Sequence, residues 1–267
     1  MLLLGSDLFA TLVYNELKKR KFDINFMCKY CKQPYSDINI VASYGVKLPQ
    51  SIVKTGIWLN VHPSLLPQYR GPTPIEHSLL YGNRMGISLI TLADKLDTGE
   101  LFAQTEIPFK LMPYYDSIIY HAEHAVELLS AVLPNIHKIK TIPQCGEISH
   151  STKLSPDLAM VDFLRMSNFD ILKRFYAISY RYRLRTKWKS HLMFLDKLEL
   201  CAVPLAPGEF ILHNDHMDVG CKTGSIRVSQ VSRLTGNRCD PLSFFNGLRY
   251  KSHNGTFIRQ SEELKLQ

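Results

Sequence analysis

In the first half of the chain, four short apolar runs alternate with segments of helical spacing. This alternation restricts the fold more than any other feature. The runs occupy residues 1–4, 38–43, 57–61 and 87–93. After the first, residues 8–21 set Phe9, Leu12, Val13 and Leu17 on one helical face, with Lys and Arg in the last turn. Shorter helical pieces fall at 48–53 and 74–81. Strands alternating with helices predict an α/β unit built on a Rossmann-like, mostly parallel sheet, with its functional groups beyond the carboxyl ends of the strands. A further helix, opened by Asp116 and ended by Pro134, presents Ile118, Ile119, Ala122, Val126, Leu129 and Leu133 as a broad apolar face for the sheet.

Beyond residue 135 the pattern changes. Residues 136–156 mix Lys, Pro, Gly and Ser without sustained periodicity and are expected to be a linker. A helix is predicted at 168–178, then short strands at 191–195, 198–203, 208–212, 217–221 and 226–231. Asn214-Asp215 and Thr223-Gly224 supply turns, and Asp240-Pro241 opens a last helix. Five short strands with tight turns predict a small β-barrel of OB-like type. The expected organisation is a first domain over 1–135 and a second over 157–267.

Charge divides the chain at the same place. Residues 1–150 hold 14 Lys/Arg against 13 Asp/Glu, whereas residues 151–267 hold 18 against 11, which carries most of the net +8. A neutral half joined to a basic half suits chemistry in one and a polyanion against the other. Arg181, Arg183, Arg185, Lys187 and Lys189 alternate with Tyr182, Leu184, Thr186 and Trp188, so an extended strand would line five cations on one face. Such a face either tracks phosphates or is simply solvated. The longest apolar stretches fall far short of the 18 or so residues a membrane span needs. Residues 1–17 carry Asp7 and Glu16 without Lys or Arg, unlike a secretory signal or an organelle presequence. Six irregularly spaced cysteines read as reduced thiols rather than a disulfide framework. Cys28-x-x-Cys31, lacking a second pair, reads as two ordinary buried thiols.

The densest cluster of chemistry-bearing residues follows the third apolar run, in Asn60-Val-His62-Pro-Ser64-Leu-Leu-Pro67-Gln-Tyr-Arg70-Gly71-Pro-Thr-Pro74. Asn60 and His62, two apart on an extended backbone, point to the same side. Leu96-Asp97-Thr98-Gly99 follows the fourth run, and if that strand neighbours the third, Asp97 reaches the same edge and can fix or charge His62. An amide, an imidazole and a carboxylate, without a Ser or Cys nucleophile or three metal ligands, suit attack of one substrate on another with the developing oxyanion stabilised. A structural histidine beside a loop is the alternative. His121 and His124, three apart beside Glu123, read as surface histidines. Tyr30, Tyr35 and Tyr44 could flank the pocket.

His62-Pro-Ser-Leu-Leu-Pro67 with Arg70-Gly71, preceded by Asn60 and followed by Leu96-Asp-Thr-Gly99, resembles the signature of formyltransferases that use 10-formyltetrahydrofolate. Within that family the chain is most similar to the members that act on methionyl-tRNA. Gly5-Ser-Asp-Leu-Phe9, Ala42-Ser-Tyr-Gly45 and Leu48-Pro49 resemble its first turn and pterin-facing strand. Thr152-Lys-Leu-Ser155, Ala206-Pro-Gly208 and Asp240-Pro-Leu-Ser-Phe-Phe-Asn-Gly247 resemble landmarks of its C-terminal barrel. The resemblance implies catalytic roles for Asn60, His62 and Asp97, and folate contacts from Ser64, Leu65, Leu66, Pro67, Tyr44 and Gly45. It also implies 10-formyltetrahydrofolate as co-substrate, no metal, and methionyl initiator tRNA as partner, met by Arg70, Arg181, Arg183, Arg185, Lys187 and Lys189. The basic balance and the abundance of Lys, Asn and Tyr suggest an organelle form acting in the mitochondrial matrix, with the cytoplasm as the alternative, and a monomer is expected.

One departure stands out. Only about 16 residues separate the first helix from the strand at Ile38, where a βαβ unit takes roughly 30, so the sheet is expected to lack one βα unit. The family's basic, Gly-containing loop in this region is reduced to Lys29 and Lys32. A non-catalytic RNA-binding relative, or an enzyme that formylates another amine or hydrolyses formyltetrahydrofolate, are the alternative readings.

Overall fold

In this computed structural model, which describes residues 1–28 and 36–257, the first sheet is nucleated by β1 (Leu2–Leu4), buried throughout. Asp7 caps α1 (Leu8–Lys19) by accepting the Ala10 N–H at 3.0 Å, and Phe9, Ala10, Val13 and Leu17 turn inward at helical spacing. There follow β2 (Asn25–Met27), β3 (Ile38–Val41), α2 (Gln50–Val53), β4 (Ile57–His62), α3 (Pro74–Tyr81), β5 (Met85–Ile90), β6 (Leu101–Ile107) and α4 (Tyr114–Val132). The sheet order is β2-β1-β3-β4-β5-β6.

The four strands β2, β1, β3 and β4 are parallel, but β4–β5 and β5–β6 are antiparallel, so the sheet is mixed. The expected fourth strand is therefore the first arm of a hairpin. It ends at Ile90, three residues early, because the chain leaves the sheet there and rejoins it at Leu101. β2 was not foreseen in the sequence, since Asn25-Phe-Met27 is too short to carry an alternating pattern. It pairs with β1, and only ten residues, 28–37, separate it from β3 on the other side of β1. That is less than the dozen or more a parallel crossover ordinarily takes and too few for a further helix and strand. Lys29, Tyr30, Cys31, Lys32 and Tyr35 lie outside the described residues.

α4 begins two residues earlier than its Asp116 signal, with Pro113 at the N-cap and Asp116 in the first turn. Ile118, Ala122, Val126 and Leu129 are buried as their spacing predicts, each full burial of a large aliphatic side chain contributing about 1.5–3 kcal/mol. Ile119 is exposed. His121, expected at the surface, is completely buried, because it follows Ile118 by three residues and falls within the same apolar stripe.

The chain divides at Lys153/Leu154. Residues 139–153, expected as part of a linker, are instead bonded into the first unit. Leu101 and Ile142 exchange backbone bonds at 2.8 and 3.0 Å, and Arg70 bridges to the Ser149–Ser151 backbone. A segment without periodicity can still be held strand-like by a neighbouring backbone.

The second unit opens with α5 (Asn168–Ile178), whose Ser167 and Asp170 form a reciprocal capping box. Strands β7 (Arg185–Trp188), β8 (His191–Cys201), β9 (Glu209–Leu212), β10 (Met217–Gly220) and β11 (Ser225–Ser232) follow. After them come α6 (Pro241–Gly247), capped by Asp240, and β12 (Asn254–Thr256). The order β12-β9-β10-β11-β8-β7 makes an antiparallel sheet curled into a half-barrel, with Trp188, Phe210, Phe245 and Tyr250 in mutual ring contact. The two strands predicted at 191–195 and 198–203 are one. The pairing of β8 with β11 shifts register between Val228 and Val231, opposite the place where the sequence suggests a break. Among the described residues no helix is long and apolar enough to cross a membrane.

Candidate active site

Asn60 and His62 sit at the carboxyl end of β4. Asp97 reaches them by a different route from the one the sequence suggests. The residues between Ile90 and Leu101 loop off the hairpin, and the Asp97 backbone turns left-handed (φ 56°), a conformation Asp tolerates better than most residues. Gly99 makes this path possible: a Cβ there would stand 1.8 Å from the Thr91 carbonyl oxygen. Thr91 and Glu100 close the neck, backbone to backbone at 2.8 Å.

The three side chains converge. Asn60 Nδ2 donates to Asp97 Oδ1 at 3.1 Å, and His62 Nδ1 lies 3.6 Å from the same oxygen. The Gly71 N–H donates to Asp97 Oδ2 at 2.9 Å. Gly71 is at φ 128°, and a Cβ there would meet the Ser151 carbonyl at 2.2 Å. His62 Nε2–H donates to the Tyr69 carbonyl at 3.0 Å, which leaves Nδ1 as the nitrogen that can gain or lose a proton beside the carboxylate. His62 and Asp97 are both buried, so their attraction is poorly screened by water.

The trio forms part of the wall of a cavity of about 690 Å³ within the first unit. Val41, Tyr44, Leu48, Leu92 and Ile118 supply apolar wall, with Gly45 at its edge, and Asp7, Lys47 and Glu76 add charge. Tyr44 and Gly45 thus line the same cavity as the trio. Ser64, Leu65, Leu66 and Pro67 are not in its lining. Ser64 Oγ donates to the Gln68 carbonyl at 2.6 Å, Leu65 packs on Gly86, and Leu66 is buried against Ile90 and Leu101. Leu65 and Leu66 thus pack on β5 and β6.

Arg70 is also held internally. Its Nε and Nη2 donate to Gln144 Oε1 at 3.1 and 2.6 Å, and Gln144 Nε2 donates to the Asp97 and Gly99 carbonyls at 2.9 and 2.8 Å. The returning segment thereby clamps the Asp97 loop. Ser149 Oγ accepts the Tyr69 N–H at 2.9 Å, and Ser151 Oγ donates to the Tyr69 carbonyl at 3.2 Å. Sequence reading missed Gln144, Ser149 and Ser151, which stand in a stretch without pattern. Burial raises the Tyr69 hydroxyl above its ordinary range and lowers His77.

Of the five alternating cations, only Arg185 and Lys187 lie on β7, with Thr186 and Trp188 buried on the opposite face. Arg183 is spent on Asp196, donating at 2.7–3.0 Å, and lies over the Phe194 ring. Arg181 follows α5 beside Tyr182, and Lys189 sits at φ 50° beyond β7 with its ammonium over Trp188. The expected five-residue stripe fails because the strand is only four residues long. Cys28 is exposed rather than buried, and all described cysteines are free.

An amide, an imidazole and a carboxylate on one cavity wall at a strand end are a set suited to proton-assisted group transfer. The chain belongs to the formyl transferase family: its residues 8–127 match the formyl transferase domain, and residues 153–249 match the family's C-terminal domain. A methionyl-tRNA formyltransferase of Sulfurimonas denitrificans is 30% identical over 224 residues, covering 80% of this chain and 71% of that protein. One from Coprothermobacter proteolyticus is 27% identical over 223 residues, covering 80% and 73%. Among solved structures, HypX from Aquifex aeolicus in complex with tetrahydrofolic acid superposes with a TM-score of 0.71. It is 20% identical and covers 91% of this chain and 46% of that one.

Proposed function

We propose that the chain transfers the formyl group of 10-formyltetrahydrofolate to the α-amine of methionine esterified to initiator tRNA. The observation that carries this reading is the convergence of Asn60, His62 and Asp97 on one cavity wall, in a chain whose relatives bear that activity in their names. A cavity of about 690 Å³ with an apolar floor and a few convergent polar groups fits a folate-sized ligand. The folate, when bound, supplies the formyl carbon.

Asn60 keeps one Nδ2 hydrogen free of Asp97, and with His62 it stabilises the oxygen that gains charge as the amine attacks. His62 Nδ1, facing Asp97 at 3.6 Å, takes the proton that the attacking amine loses and delivers it to the folate nitrogen as the bond between that nitrogen and the formyl carbon breaks. The clamp of Gly71, Gln144 and Tyr69 keeps the three groups in place before substrate arrives. Lys187, exposed on the outer face of β7 in the basic half, is the strand cation that meets phosphate, while Arg185 beside it donates to the Pro156 carbonyl at 3.0 Å.

The test is a formylation assay with methionyl initiator tRNA and an amino-sugar nucleotide offered in parallel. Transfer to the tRNA alone supports the reading, and transfer to the sugar alone, or to neither, overturns it. The ten-residue β2–β3 connection favours a second reading, a tRNA-binding protein without transfer activity. Folate titration separates the two: saturable binding supports the enzyme, and its absence supports the RNA-binding protein.

A further inference from the structure

The hairpin joining β9 to β10 carries a constellation that formyl transfer does not use. The His213 N–H donates to the His216 carbonyl at 2.8 Å, closing a turn over Asn214 and Asp215. The closure stacks the two imidazoles with centroids 4.3 Å apart and planes at 20°. Both rings direct Nε2 at one oxygen, Asp218 Oδ2 on β10, at 3.4 Å from His213 and 3.6 Å from His216.

These separations are too long for hydrogen bonds, whose heavy atoms approach to about 2.7–3.2 Å. They match the distance of about 3.3 Å between neighbouring ligand atoms of a tetrahedral ion with bonds of about 2.0–2.1 Å. All three donor atoms lie within 4.8 Å of one another, so closing the third edge requires only a small turn of an imidazole.

The surroundings prepare each ligand. His216 Nδ1–H donates to Asp215 Oδ1 at 2.6 Å, which fixes the tautomer and leaves the Nε2 lone pair free. Arg227, directly across the ladder, takes Asp218 with both nitrogens at 2.8 and 3.1 Å and fixes its orientation. Arg227 Nη2 occupies one lone pair of Asp218 Oδ2. The second Oδ2 lone pair remains for an ion. The Asp218 side chain is 2% exposed, His216 18% and His213 43%, so one side of the site opens to solvent and can seat a water.

We propose that His213 Nε2, His216 Nε2 and Asp218 Oδ2 bind one divalent ion of the zinc class at the β9–β10 hairpin, with solvent in the fourth position. Two imidazoles and one carboxylate are a borderline-soft donor set, which suits zinc over magnesium or calcium. The short His213-x-x-His216-x-Asp218 spacing lets a single turn deliver all three ligands.

The experiment uses the full chain without a polyhistidine tag, stripped with a chelator and titrated calorimetrically with Zn²⁺. Co²⁺ absorption reports the geometry. One equivalent of Zn²⁺ is expected, with a tetrahedral Co²⁺ spectrum. His213→Ala and His216→Ala should each abolish binding or weaken it at least 100-fold, and Asp215→Asn should weaken it about 10-fold by releasing the His216 tautomer. His191→Ala, an exposed histidine at the start of β8, should bind as the unaltered chain does. Asp218 is left in place because its loss would strand Arg227. No saturable binding by the unaltered chain, or binding that survives in both His213→Ala and His216→Ala, would overturn the proposal.

Discussion

His62 Nδ1 and Asp97 Oδ1 stand 3.6 Å apart, both side chains almost fully buried. The remaining polar atoms of the pair are taken: Nε2 by the Tyr69 carbonyl, and the Asp97 oxygens by Asn60 and Gly71. At 3.6 Å the contact is longer than a hydrogen bond, so Asp97 faces Nδ1 through charge and leaves Nδ1 open to exchange a proton with substrate.

Removing either partner should therefore lower turnover more than binding. His62→Ala and Asp97→Asn are each expected to reduce kcat by a factor on the order of 100 or more, with a much smaller change in KM. Single-turnover formylation by the purified variants measures this. Near-normal turnover in both would remove these residues from the chemistry.

Gly99→Ala tests the loop that delivers Asp97. The new Cβ would collide with the Thr91 carbonyl at 1.8 Å, so the loop must shift. Overpacking of this kind costs about 1–3 kcal/mol. A lowered urea midpoint should accompany an activity loss comparable to that of Asp97→Asn.

Arg183 and Lys187 should behave differently although they belong to the same alternating stretch. Arg183→Ala leaves Asp196, 2% exposed at its side chain, without its bidentate partner, and is expected to cost about 2 kcal/mol of stability. Lys187 is exposed, so Lys187→Ala should leave the melt unchanged. If β7 tracks tRNA phosphate, the Lys187 variant should reduce the salt slope of tRNA binding by about one unit. Filter binding at several salt concentrations reads this out.

His121 predicts an acid sensitivity. Desolvation lowers its pKa from 6.5 to about 4, and its Nε2 has no hydrogen-bond partner. The unfolded chain binds a proton there that the folded chain refuses, so this contribution to stability is whole above pH 6.5. It is lost as pH falls towards 4, by about 3 kcal/mol at the lower end. His121→Asn preserves a donor for the Ser117 carbonyl, which Nδ1–H reaches at 2.7 Å. Urea unfolding between pH 7.5 and 4.5 should show a flatter profile for this variant. Parallel profiles for variant and unaltered chain would refute the assignment.

How far the sequence reaches can be judged residue by residue. The helix at Phe9, Val13 and Leu17, the inward face of α4 and the pairing of Asn60 with His62 follow from local periodicity, because 3.6- and 2-residue repeats fix which side chains share a face. Asp97 could be named from its motif, but its route could not: β5 runs antiparallel to β4, and a loop brings the carboxylate back. The position of Leu66 was equally beyond local pattern, since an apolar loop residue can face a ligand or the sheet, and Ile90 and Leu101 decided for the sheet.

The amino-acid order by itself determined the strand–helix alternation, the basic second half and the residue types from which the site is built, because each depends only on near neighbours along the chain. Tertiary structure alone decided that Gln144 clamps the Asp97 loop, that Ser149 and Ser151 hold Tyr69, and that Arg183 is consumed by Asp196. Those relations join residues whose proximity is created by packing and backbone pairing, which no local repeat encodes.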